Sequence, residues 1–310
     1  MFCVKNIIII NFRTIKMEEY RMNVNSDNLV KWLFETDAVR VCPQNKPFWY
    51  TSGTIGPFYI NTHFLYGSEE KANGLLKLID REKENIYSCS GKILEETLNN
   101  YKNDKIYSAL IDQMIEFVKQ NINIDDVDYV SGGERRDWFF SLIIAEFLNK
   151  PHITIFKDLN SVVYHKGKSE EVENLCGKNV LHIADLITEA SSYERAWIPA
   201  ISNKGGNIKW SVVVVDRKQG GEKVLNNFNV KSFAMVGVDV ELFEKALNMG
   251  MINGEQLEMI KEYIKNPKES MANFLKQHPE FLEQALNSDD KTKERAKLML
   301  EKNIYGITGF

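Results

Sequence analysis

The stretch from residue 127 to 217 constrains the fold most. Apolar runs too short for helices alternate there with segments of helical length. "DVDYVSGG" enters a glycine turn, and "HITIFKD" (152–158), "NVLHIAD" (179–185) and "IKWSVVVVDR" (208–217) read as strands. "DWFFSLIIAEFLNK" (137–150) and "SYERAWIPAISNKG" (192–205) read as helices between them. Apolar strands joined through helices imply an α/β protein with a mainly parallel sheet flanked by helices. Ligands bind such sheets beyond the carboxyl ends of the strands. Three polar loops follow those ends, at 131–137, 157–169 and 185–192.

The flanks read differently. Residues 25–40 predict a helix capped by Ser26 or Asp27, with Leu29, Trp32 and Leu33 on one face. "PFWYTSGTIGPFYINTHFLYG" (47–67) is aromatic and broken by Gly53, Gly56 and Pro57, which predicts two short strands and a turn. Helical zones follow at 69–84 and 92–121. Beyond 239 the pattern is helical throughout. Asn266-Pro267-Lys268-Glu269 sets a cap, a first-turn proline and an acidic third position, and His278-Pro279 and Ser288-Asp289 begin further helices. The expected division is an extension over 1–24, a main domain over 25–253 and a C-terminal helical extension over 254–310.

Composition excludes several classes. The chain has 310 residues, 44% of them hydrophobic, enough for a sizeable core. A formal net charge of −4 argues against a general nucleic-acid binder. Cys3, Cys42, Cys89 and Cys176 form no CxxC pair, which argues against structural zinc. The run Ile7–Ile10 is far too short to span a bilayer, so no membrane association is expected. Reduced thiols and a cytoplasmic location are the expectation.

Each polar loop carries two readings. In "DLITEASS" (185–192), helix-start N–H groups and the hydroxyls of Thr188, Ser191 and Ser192 make an anion cradle, or else an ordinary helix cap. Asp185 at the strand end suits ribose hydroxyls or a hydrated Mg²⁺. In "SGGERRD", two glycines allow close backbone approach to a ligand, and Arg135 and Arg136 suit a diphosphate, or else pair with Glu134 and Asp137. In 157–169, Lys157, His165, Lys166 and Lys168 suit a mobile loop closing over a leaving group, or else a solvated lysine loop. "GKS" at 167–169 is not a P-loop, because the earlier glycine would fall at Val162. His182 lies inside an apolar strand and reads as core.

Taken in chain order, these loops and the aromatic hairpin resemble the orotate phosphoribosyltransferases, of the type I phosphoribosyltransferase fold. "TSGTIGPFYIN" matches a family segment near the start, "YVSGGERRD" the loop that touches diphosphate, and "VLHIADLITEASS" the phosphoribosyl diphosphate signature. "VVVVDRKQGG" matches the strand that follows, and Phe156-Lys157-Asp158 with His165-Lys166-Gly167 loosely match the closing loop. The resemblance covers roughly residues 25–253. It implies transfer of phosphoribose to a nucleobase, with Mg²⁺ on phosphoribosyl diphosphate, in a homodimer. It implies Asp185, Lys157 and His165 as catalytic residues, Asp185 also meeting the metal. It assigns phosphate to Thr188, Ser191, Ser192, Arg135 and Arg136, and the base to Ser52, Gly53 and Phe58.

The signature departs from the family at three places. Ala184 stands for the first acidic residue, Glu189 for a threonine and Ala190 for a glycine. A carboxylate in a phosphate cradle is repulsive, and alanine disfavours positive φ. A non-catalytic nucleotide- or phosphoribosyl-diphosphate-binding regulator that kept the fold is the alternative. An enzyme using the Arg135/Arg136 loop for another acidic substrate is the third.

Overall fold

The computed structural model describes residues 27–306, so the expected extension over 1–24 lies outside the described residues. The chain divides into two units. One holds Thr62–Val238 with the helix at 27–35, the other Asp37–Asn61 with the chain from Asp239 onward. The boundary expected near 253 is therefore displaced. The aromatic hairpins need apolar cover, and the C-terminal helices supply it. Among the described residues, no helix is long and apolar enough to cross a membrane.

In the smaller unit, β1 (Val39–Val41) pairs antiparallel with β4 (Phe58–Ile60), and β2 (Phe48–Trp49) with β3 (Ile55–Gly56). Helices Val240–Asn248, Gly254–Lys265, Pro267–Gln277, Pro279–Leu286 and Asp290–Glu301 complete it. Trp49 stacks on Phe281 at 5.5 Å, and Tyr305 accepts the Ile55 N–H at 2.9 Å. The expected helix starts are present: Asn266 accepts from the Glu269 N–H, and Asp289 from those of Lys291 and Thr292.

The larger unit is built on seven strands: β5 (Tyr129–Gly133), β6 (His152–Ile155), β7 (Ser161–His165), β8 (Lys168–Glu171), β9 (Asn179–Ile187), β10 (Asn207–Asp216) and β11 (Lys231–Gly237). Their order is β11-β10-β9-β5-β6-β7-β8. β11, β10, β9, β5 and β6 are parallel, while β7 and β8 run antiparallel at the edge. The helix Trp138–Phe147 is buried around its whole girth, because the sheet covers one side and helices Ile86–Asn103 and Lys105–Asn121 the other. Asp104 splits the helical zone read as 92–121, its carboxylate capping the second helix through Ile106 and Tyr107.

Two segments differ from expectation. Residues 157–169 form no long mobile loop. Lys157–Asn160 is the tight turn between β6 and β7, closed by the Phe156 N–H donating to the Asn160 carbonyl. Lys166 and Gly167, both at positive φ, turn β7 into β8. β11 is the second difference, a half-exposed edge strand that carries no strict alternation.

The topology sets the site. From β5 the chain steps outward through β6, β7 and β8, then returns to place β9 on the other side of β5. The two connections thus leave β5 in opposite directions, which opens a crevice at the carboxyl ends of β5 and β9. β9 pairs with β5 only as far as Ser131↔His182, whereas β5 continues with β6 to Gly133↔Ile155.

Candidate functional site

A cleft of about 320 Å³ fills that crevice. Arg135, Arg136 and Asp137 line it from the β5 side, and Asp185, Thr188, Ser191 and Ser192 from the β9 side. Sequence-distant loops meet here because β5 and β9 are parallel neighbours, so the loops that follow them leave from the same side of the sheet.

Asp137 joins the separating strands. Its Oδ2 accepts the Gly133 N–H at 3.0 Å and its Oδ1 the Asp185 N–H at 3.1 Å. One carboxylate thus replaces the ladder bonds that β5 and β9 lose where they part. Behind it, His182 Nε2 lies 3.5 Å from Asp137 Oδ2, and its Nδ1 lies 2.9 Å from Ser131 Oγ. His182 is fully buried, as expected of core, and it is part of this polar network. Burial first, and then the Asp137 carboxylate, push the Asp185 acid up to about 8, with Arg136 pulling the other way. The cleft therefore keeps a protonated carboxyl at neutral pH. His63 responds to the same arginines. Burial, then Arg136 and Arg135, lower it to about 3, so its imidazole is neutral.

The glycines have a different role from the one expected. A Cβ on Gly132 would overlap Ser141, and one on Gly133 would overlap the Trp197 ring. They are small because side chains pack on them, not to let a ligand approach the backbone. Arg135 and Arg136 do not pair with Glu134 and Asp137. Arg135 bonds to Asp80, and Arg136 has no ion-pair partner among the described residues.

The cradle loop is shorter than expected. β9 runs on to Ile187, and the helix begins at 191, leaving 188–190 between them. Ala190 adopts φ +58 despite its Cβ and is buried, so the loop keeps the left-handed turn that a glycine would make. Glu189 is exposed and does not line the cleft, while Ala190, Ser191 and Ser192 do. The first N–H groups of a helix lack helical acceptors, and Ser191 and Ser192 present theirs here.

Other expected site residues fall elsewhere. His165 ends β7, which runs antiparallel to β6 and pairs Tyr164 with His152 at the amino-terminal end of β6. That places it at the edge of the sheet opposite the cleft, so it is no part of this site. Lys157 stays near, lining an adjoining cavity with Arg135. Ser52, Gly53 and Phe58 belong to the smaller unit. Phe58 is buried there against Phe243 and Tyr263, Gly53 packs on Leu298 and Met299, and Ser52 bonds Thr54. Phe58 and Gly53 are thus packed within that unit rather than exposed as pocket wall. Asp137 is the residue that sequence reasoning missed. Its signal is an acid at a helix start shortly after a strand, a position for which the sequence offers only the alternative of pairing with Arg135 or Arg136. Among the described residues, no group of three or more His, Cys, Asp or Glu side chains is arranged to hold a metal ion.

No family model matches the chain. It is 29% identical over 185 residues to an orotate phosphoribosyltransferase of Sulfurisphaera tokodaii, covering 58% of this chain and 89% of that one. It is 25% identical over 239 residues to one of Listeria innocua, covering 76% and 93%. The chain is a divergent relative of the orotate phosphoribosyltransferases. A solved UMP synthase of Leishmania donovani superposes with a TM-score of 0.53 at 18% identity, over 77% of this chain and 41% of that longer one. The likeness is one of fold, and the fold of this orotate-phosphoribosyltransferase-like chain is the type I phosphoribosyltransferase fold.

Proposed function

We propose that the chain transfers phosphoribose from phosphoribosyl diphosphate to a nucleobase, orotate being the first to try. The observation that carries this reading is the cleft itself. The signature loop and the Arg135/Arg136 loop face each other across it, and Glu189 stays out of it. That last point removes the Glu189 part of the support for a non-catalytic binder.

The proposed roles follow from charge and position. Thr188, Ser191, Ser192 and the helix-start N–H groups hold the 5′-phosphate. Arg136, lacking an ion-pair partner among the described residues, and Arg135 hold the diphosphate that leaves with negative charge. Asp185 and Asp137 face the ribose, where the protonated Asp185 hydrogen-bonds the hydroxyls and the Asp137 carboxylate opposes the positive charge of an oxocarbenium-like transition state. Lys157 adds charge at the cleft's edge. Asp185 would hold a Mg²⁺ once that ion had displaced its proton. When bound it would neutralise the diphosphate. A homodimer in the cytoplasm completes the proposal.

The test is release of diphosphate from phosphoribosyl diphosphate and Mg²⁺ in the presence of orotate, uracil, adenine and hypoxanthine. Base-dependent release that drops at least about a hundredfold in Asp185→Ala supports the reading. No release with any base refutes it.

A further inference from the structure

A row of buried polar groups crosses the sheet where β5 and β9 part. Ser131 on β5, His182 on β9 and Ser211 on β10 are register partners, and all three are fully buried. Ser131↔His182 is the last pair that β5 and β9 share. An imidazole is costly to bury unless its ring nitrogens find partners.

Nδ1 has one, Ser131 Oγ at 2.9 Å. A serine hydroxyl that donates there leaves the ring proton on Nε2. Nε2 has no hydrogen-bond partner among the described residues, and it lies 3.5 Å from Asp137 Oδ2. The ring is held in that direction by two side chains of the helix after the cradle. Tyr193 meets it edge-on at 4.9 Å, and Trp197 lies at 22° to it at 6.2 Å. Tyr193 is itself tied to Ser211 through its hydroxyl, at 2.6 Å. A buried N–H is thus aimed at a carboxylate from just beyond good hydrogen-bond distance. His182 does not line the cleft, whereas Asp137 does, so the imidazole reaches the cleft only through that carboxylate.

We propose that His182 is a positioning residue, whose Nε2–H holds the Asp137 carboxylate at the ribose. Hydrogen bonds of a catalytic site tighten as substrate binds, and this one closes with a shift of about half an ångström. The role at the ribose rests on the phosphoribosyl-transfer reading; the hold on Asp137 does not. If His182 only filled space, an apolar side chain of similar size would serve as well.

The experiment compares the full chain as wild type, His182→Gln and His182→Leu. Glutamine keeps an N–H donor at the place of Nε2, and leucine fills the space without one. The first readout is amide hydrogen exchange, by nuclear magnetic resonance, at Gly133 and Asp185, whose N–H groups donate to Asp137. Exchange at both is expected to quicken about tenfold or more in His182→Leu and to stay within about threefold of wild type in His182→Gln. The amides of 212–215, in the β9–β10–β11 ladder, are the reference. Unchanged rates at Gly133 and Asp185 in His182→Leu overturn the proposal. So does a rise shared equally by 212–215, or a glutamine variant that behaves like the leucine one. The second readout is base-dependent diphosphate release. kcat is expected to fall about tenfold in His182→Leu, with KM for phosphoribosyl diphosphate within about twofold because the cradle is untouched, and glutamine restores it. An unchanged kcat, or a change in KM alone, overturns the role at the ribose. Wild type that releases no diphosphate with any base refutes the phosphoribosyl-transfer reading instead, and the exchange rates then judge the hold of His182 on Asp137.

Discussion

Replacing Asp137 by alanine tests the way the cleft is built. The carboxylate is the acceptor for two buried backbone N–H groups, those of Gly133 and Asp185. A buried donor left without a partner costs about 1–3 kcal/mol, so the two together set a scale of about 2–6 kcal/mol. Part is offset, because Asp185 loses a neighbouring acid that holds its proton on. The expected net loss is about 2–4 kcal/mol, measured as the shift in urea unfolding free energy at pH 7. The pH dependence has a definite sign. The folded-state value of Asp185 is raised from 3.8 to about 8, so the folded chain holds a proton that the unfolded chain has released. This group's contribution therefore falls as pH rises through that window. Asp137→Ala lowers the folded-state value and flattens that limb. An alanine variant within about 0.5 kcal/mol of wild type, with an unchanged pH slope, would refute the strand-bridging role.

Three further outcomes are expected. Glu189→Thr changes phosphoribosyl diphosphate affinity less than about threefold, because the exposed carboxylate is screened by water; a tenfold gain would mean that it had occupied the cradle. Gly133→Ala costs about 1–3 kcal/mol and shifts the tryptophan emission, since the new methyl overlaps Trp197; unchanged stability and emission would count against that packing. His152 is fully buried between Ser141 and Thr154, and burial lowers it to about 3. The unfolded chain takes up a proton below pH 6.5 that the folded chain refuses, so stability falls on acidification by about 1.4 kcal/mol per pH unit from this group. His152→Gln should make the acid limb shallower, and an identical limb would contradict the burial argument.

The legible parts of the fold were those whose own residues carry the pattern. β6, β9 and β10 are buried along nearly their whole length and read as mostly apolar runs. β8 and β11 sit at the sheet edges, where one face meets water. "KSEE" therefore reads as loop, and "KSFAMVG" shows no clear period. The pairing of residues 37–61 with the C-terminal helices is a contact across about two hundred positions, which no local pattern encodes. At the site, Thr188, Ser191, Ser192, Arg135, Arg136 and Asp185 were legible, because loop composition follows the ends of recognisable strands. Asp137 was not, since its partners are two backbone N–H groups that only the sheet order brings together. His165 was misplaced for the converse reason. A basic cluster in sequence is pulled apart by the turn at Lys157–Asn160, which reverses the chain so that β7 carries His165 away from the cleft.

The most direct test of the central claim is isothermal titration of the full chain with phosphoribosyl diphosphate and Mg²⁺. The account predicts one-to-one binding in the micromolar range, lost in Ser191→Ala/Ser192→Ala and insensitive to Glu189→Thr. No detectable heat at millimolar ligand would mean that the cleft at the ends of β5 and β9 serves some other molecule.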